Sequence, residues 1–162
     1  MKLTYIPSVK SGISVEGKKN DCFIRSLVNA FGYEYSTIEE ICKKHGRKDD
    51  DGIQPQDLIS VAVELGLEGL IIGKTRTAFL LNFPNVFMRD ETGKTLGTVV
   101  KDLYIGRYVV IVEGHAVALE NGNPIDTNPL NSKAKVAMIL WEKQQFPNFS
   151  TKKPETILYL KH

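Results

Sequence analysis

Residues 107–126 constrain the fold more than any other stretch of the chain. Tyr108-Val109-Val110-Ile111-Val112 is an apolar, β-branched run, Glu113-Gly114 makes a bend, and His115-Ala116-Val117-Ala118-Leu119 carries the chain back. Asn121-Gly122 then turns it again into Asn123-Pro124-Ile125-Asp126. Asn-Gly is the strongest short hairpin signal, because a two-residue turn that matches strand twist needs positive φ at both central residues. The stretch therefore predicts neighbouring antiparallel strands, and the rest of the chain has to cover them.

The preceding segments are helical in pattern. Asp21 to Phe31 places Phe23, Ile24, Leu27, Val28 and Phe31 at helical spacing before Gly32, with Asp21 as the expected N-cap. Ser36-Thr37-Ile38-Glu39 has the form of a capping box and predicts a second helix from Thr37 to about His45. Pro55 suits the first turn of a third helix over Gln56 to Leu65, with Leu58, Ile59, Ala62 and Leu65 inward. Leu70-Ile71-Ile72 reads as a short strand, Thr75 to Asn82 as a short helix, Val86-Phe87-Met88 as an apolar segment, and Thr95 to Ile105 as a helix supporting the sheet. Lys135 to Trp141 and Thr156 to Lys161 are two further strand candidates, while residues 1–19 read as a loop leading to Cys22. Helices first and antiparallel strands second give an α+β class, with N-terminal helices packed on a C-terminal antiparallel sheet. At 162 residues the chain suits a single domain, 1–162.

Charge is balanced, with Lys plus Arg 21 against Asp plus Glu 19, so neither nucleic acid nor a membrane surface is expected as a partner. The basic cluster from Lys43 to Lys48 is followed directly by Asp49-Asp50-Asp51. No apolar run reaches the roughly 18 residues that span a bilayer, and residues 1–7 lack a secretory h-region, so the expected location is the cytoplasm. The two cysteines, Cys22 and Cys42, are expected there as free thiols. With His45 they lack the paired spacing of a zinc site, and Asp49-Asp50-Asp51-Gly52 lacks the alternation of a calcium loop, so no metal or cofactor is expected. Cys42 and His45 read as part of a solvated helix end rich in lysine.

Cys22 is different because it falls in the first turn of its helix. Unpaired N–H groups and the positive end of the helix dipole favour ionisation of a thiol there, and the thiolate is the nucleophile. An Asp21 carboxylate on the cap would oppose that ionisation. A base is available in His115, at the start of the return strand, and Gly114 before it lets backbone and substrate approach closely. The Asn121-Gly122 turn brings His115 near the register of the high 120s, where Asp126 can hold one ring nitrogen and leave the other free. Nucleophile, base and orienter are the parts of a covalent acyl-transfer site.

Asn20-Asp21-Cys22-Phe23-Ile24-Arg25-Ser26-Leu27 and Gly106 to Leu119, with its Gly114-His115-Ala116-Val117-Ala118 core, resemble segments of the papain-like cysteine peptidases. The likeness is to small bacterial and bacteriophage members with an Asp-Cys-x-x-Arg-Ala-Leu helix start; here Ser26 stands at the alanine position. The resemblance implies a papain-like fold in which an N-terminal helix bearing the nucleophile packs on an antiparallel sheet bearing histidine and then Asp or Asn. Cys22, His115 and Asp126 match those positions in order. The likeness covers the first helix and the hairpin, and residues 46–94 depart from it. Many papain-like enzymes carry an oxyanion-hole glutamine shortly before the cysteine; this chain has none, and Asn20 is the nearest amide.

The expected function is hydrolysis of, or transfer from, a peptide, isopeptide or amide bond in a protein or peptide substrate, by a Cys22–His115–Asp126 triad. The alternative is a papain-like protein, phage-encoded in this reading, that is catalytically weak and acts by binding a host protein.

Overall fold

The computed structural model describes residues 6–7, 20–72, 86–89, 94–126, 131–143 and 158–159. In chain order its elements are β1 (Ile6–Pro7), α1 (Cys22–Phe31), α2 (Tyr35–Lys44), α3 (Pro55–Glu64), β2 (Leu67–Ile72), β3 (Val86–Arg89), α4 (Leu96–Asp102), β4 (Arg107–Val112), β5 (His115–Glu120), β6 (Asn123–Asp126), β7 (Val136–Glu142) and β8 (Leu158–Tyr159). The class is α+β. The helix expected over 75–82 lies outside the described residues.

The strands form one sheet in the order β1-β6-β5-β4-β7-β2-β3-β8. Its centre, β6-β5-β4-β7-β2, is antiparallel throughout. Asn121 and Gly122 have φ of 48° and 79°, so both central residues of the second turn are left-handed and Glu120 pairs with Asn123. The expected order of helices before strands holds only in part. β2 and β3 precede α4 and join the sheet beyond β7, and Ile6–Pro7, expected in a loop, pairs parallel to β6. β2 and β3 are also parallel to each other.

Alternation along the strands divides the core between two faces. Val109, Ala116, Ala118, Met138 and Leu140 pack against α1, α2 and α3. Tyr108, Val110, Val117, Leu119, Ile139 and Trp141 face the other way, onto Leu96 and Val99 of α4 and Leu103, the residue that ends it. The sheet thus lies between helices rather than beneath a single helical layer. Both faces of the central strands are buried, which is why 108–112 is continuously apolar instead of alternating. Gly69 permits close packing on the α1–α3 side: a Cβ there would stand 2.9 Å from Leu140 Cδ2.

Helix boundaries differ from expectation where tertiary contacts override local capping. α2 starts at Tyr35, two residues before Thr37; its N-cap is Glu34, and no side chain caps it. Ser36 hydroxyl instead donates to Glu34 at 2.9 Å. Tyr35 is 5% exposed and belongs to the same buried stripe as Ile38 and Cys42, so burial extends the helix past the capping-box position. Cys42 is therefore a core residue at 0% exposure, not part of a solvated end, and His45 meets Glu64 of α3 at 2.8 Å. α4 is shorter than its 95–105 pattern. Thr95 caps it through a hydrogen bond from Thr98 N–H, and it stops at Asp102 because Leu103 turns into the core while Tyr104 and Ile105 emerge into solvent.

β4 and β7 lose register between Ile111 and Val112: Ile111 pairs with Met138 but Val112 pairs with Val136, leaving Ala137 as an extra residue. Such a bulge bends a strand and re-aims its side chains. It lies next to the Glu113-Gly114 turn and hence next to His115.

Candidate active site

α1 and β5 are the elements that build the site. α1 packs its Phe23, Ile24, Leu27 and Val28 stripe against the sheet, and Gly32, with φ of 78°, ends it by donating to Val28 O at 2.9 Å. This packing brings the first residue of the helix, Cys22, to the first residues of β5. There Cys22, His115 and Ala116 line one cavity, close enough for the His115 side chain and the Ala116 backbone to favour the thiolate. The thiol is half-buried, so it remains reachable from solvent.

Burial raises the Cys22 pKa, but it is outweighed. The hydrogen bond with His115, the backbone hydrogen bond of Ala116, the His115 charge and the backbone hydrogen bond of Phe23 together bring the thiol below its ordinary value. The cause is the expected one for a cysteine at a helix start beside a histidine. At Cys42 desolvation by burial outweighs the nearby Arg47 charge, and its pKa is pushed up to about 11. The two thiols are thus chemically distinct: one is accessible and acidified, the other buried and inert.

His115 is held at the end of the sheet by its pairing with Val112 across the Glu113-Gly114 turn. Gly114 has φ of 74° and open space at its Cβ position, so the turn needs glycine for conformation rather than for room. Asp126 lies at the end of β6, paired with Pro7. The β5–β6 register pairs Ala118 with Ile125 and Leu119 with Pro124, and its continuation sets Asp126 opposite Val117. His115 lies two residues before Val117 on the same strand, so the register makes the backbones of 115 and 126 diagonal cross-strand neighbours. The Asp126 side chain lies outside the described residues.

Asp21 does not cap α1. Its φ and ψ are −108° and 21°, and its side chain makes no cap hydrogen bond. Instead its carboxylate turns inward, accepting from the Tyr35 hydroxyl at 2.7 Å and from Arg25 Nε at 2.9 Å, and the residue is 8% exposed. Arg25, one helical turn on, offsets its charge, so Asp21 does not stand as the unopposed anion expected beside the thiol. In the sequence Arg25 stands only as the arginine of the helix-start resemblance, with no role given to it, and Tyr35 is not marked. The i to i+4 spacing of Asp21 and Arg25 was the available signal; Tyr35, on the next helix, gave none.

Asn20 lies at the mouth of the site with φ of 52°. Its Nδ2 donates to Asp50 O at 2.7 Å, which ties it to the acidic loop before α3 and leaves one further N–H on the same amide. Asn20, Cys22 and His115 open on a cavity of about 450 Å³. Its walls are mainly apolar: Phe23 of α1, Ile53, Pro55 and Leu58 at the start of α3, and Ile111 and Met138 of the sheet. This size and character suit a ligand pocket. A second cavity of about 480 Å³, lined by Gly46, Lys48, Asp51, Gly52, Ile53 and Gln54, contains no nucleophile. Among the described residues, no group of three or more His, Cys, Asp or Glu side chains is arranged to hold a metal ion.

Comparison of the chain with protein-family models, with curated proteins and with solved structures finds no match.

Proposed function

We propose that the chain is a papain-like thiol enzyme that transfers acyl groups from peptide, isopeptide or amide bonds of a protein or peptide substrate. The observation that carries this reading is the meeting of Cys22, at the helix start, and His115, at the strand start, on the wall of one cavity of about 450 Å³, where the histidine lowers the thiol pKa. In this reading the Cys22 thiolate attacks the carbonyl carbon and the carbonyl π electrons move to oxygen. The tetrahedral intermediate collapses to a thioester, and the leaving amine takes its proton from the His115 imidazolium. Water or a second amine, deprotonated by His115, then attacks the thioester and expels the thiolate. The Cys22 backbone N–H and the remaining Asn20 amide N–H are the donors assigned to the oxyanion; one such donor is typically worth two to three orders of magnitude in rate, as roughly known for side-chain donors in acyl transfer. Asp126 is assigned the second ring nitrogen of His115.

Iodoacetamide trapping of Cys22 across pH tests the pairing. The expected result is a rate that is high already below the ordinary thiol range and that falls at neutral pH in His115→Ala, the two proteins converging at high pH. Equal rates for both proteins at neutral pH would overturn the reading.

A further inference from the structure

The inward turn of Asp21 is the feature of the site that the proposed chemistry leaves unused. A buried carboxylate is costly unless paired and hydrogen-bonded, and this one is both. Its Oδ2 receives the Tyr35 hydroxyl from α2 and the Arg25 guanidinium from α1, while its backbone carbonyl receives Arg25 N–H at 2.9 Å, the first hydrogen bond of the helix. Asp21 is thereby fixed through both its side chain and its backbone. The residue so fixed is covalently next to the thiol, at a helix start that no capping side chain secures.

We propose that Asp21, Arg25 and Tyr35 form a clamp whose role is to seat Cys22 against His115, making all three positioning residues for the nucleophile. The proposal rests on the reading of Cys22 as a nucleophile paired with His115. Ordinary capping would spend the Asp21 carboxylate on N–H groups of the first turn, which the thiol needs for its own stabilisation. Turned inward, the carboxylate leaves those groups to the sulfur, and Tyr35 locks the angle at which α2 and the start of α1 meet. Arg25 keeps the adjoining charge neutral. The titratable groups lining the cavity beside Cys22 are His115 and Glu113, and those behind it are Asp21, Arg25 and Tyr35.

The test is the pH profile of Cys22 alkylation by iodoacetamide in the full chain, measured on variants whose circular dichroism matches wild type. Tyr35→Phe is expected to slow alkylation at pH 7 by about threefold or more and to move the profile toward that of a free thiol. Arg25→Gln, at a partly exposed position that folding tolerates better, is expected to act in the same direction because it also leaves Asp21 an unopposed anion. Asp21→Ala, which removes the acceptor of both partners, is expected to slow alkylation as well, and Asp21→Asn, which keeps an acceptor for Tyr35, to slow it less; this graded rescue distinguishes positioning from loss of fold. Folded Tyr35→Phe and Arg25→Gln proteins with the wild-type profile would overturn the clamp. If His115→Ala moves the profile while these two do not, the clamp fails and the nucleophile reading stands. If they move it while His115→Ala does not, the pairing with His115 fails, and with it the role given to the clamp.

Discussion

Cys22 and His115 meet on the wall of one cavity although one residue opens a helix and the other opens a strand in a different layer of the fold. Two packing events create that relationship. The apolar stripe of α1 docks on the Ala116 and Ala118 face of β5, and the Glu113-Gly114 turn sets the start of β5 at the edge of the cavity.

One consequence is thiol selectivity. Cys22 is half-buried with a lowered pKa, whereas Cys42 is 0% exposed with a pKa of about 11. Native protein treated with a limiting alkylating agent at pH 7 is expected to gain a single adduct, on Cys22, and Cys22→Ser is expected to gain none. Intact-mass and peptide mass spectrometry read this directly. Modification of Cys42 under native conditions would mean that the core opens far more readily than its packing implies.

Cys42 also predicts a pH dependence of stability. Its folded pKa of about 11 exceeds the ordinary thiol value of 9.0, because burial opposes the thiolate. Below pH 9 both states keep the proton and the group contributes nothing to the slope. Between about 9 and 11 the unfolded chain releases its proton first, so stability falls as pH rises, by about 3 kcal/mol at most. Urea melts from pH 8 to pH 11 should show this loss, and Cys42→Ala should flatten that part of the curve while lowering stability at pH 8 through the space it leaves. A slope unchanged by Cys42→Ala would assign the loss to other groups.

At Gly69 the constraint is steric. A methyl group there would meet Leu140 Cδ2 at 2.9 Å, and Leu140 is 2% exposed, within the core, with little room to yield. Gly69→Ala is expected to destabilise the fold by about 1–2 kcal/mol, in the range of overpacked cores. Pairing it with Leu140→Ala, which vacates the space, should give a cost well below the sum of the two single changes. Additive costs in denaturant melts would refute the contact.

These particular residues also show what a sequence makes legible. Asn121-Gly122 revealed the β5–β6 register because its turn geometry is local, and Cys22 and His115 stood out because each begins an element whose period is plain. Asp21 was misread as a cap because its partner Tyr35 lies on another helix. Ser36 was misread for a related reason: burial of Tyr35 decides where α2 begins. The bulge at Ala137 has no marker, since an extra small residue in an apolar strand alters nothing in the pattern. The cavity draws its walls from α1, the start of α3 and the sheet, and so exists only after folding. The two-sided burial of the sheet was hinted at by the continuous apolar run at 108–112, but α4 had to be placed before that run had an explanation.

Asp126 gives the last prediction, because its position follows from register alone. With Leu119 paired to Pro124 and Ala118 to Ile125, residue 126 falls opposite Val117, one diagonal step from His115. Diagonal neighbours stand about 7–8 Å apart across a sheet, close enough for an aspartate and a histidine to bridge. If Asp126 orients the imidazole, Asp126→Ala should slow alkylation of Cys22 at pH 7 by roughly three- to tenfold, because an unoriented ring pairs with the thiolate for only part of the time. Asp126→Asn should recover part of that loss, since an amide oxygen still accepts from a ring N–H. His115→Ala should show a loss at least as large as Asp126→Ala, and the double variant should be no worse than His115→Ala, because the aspartate acts only through the histidine. A double variant clearly slower than His115→Ala would give Asp126 a role independent of the ring, and an Asp126→Ala protein with the wild-type rate would remove it from the site.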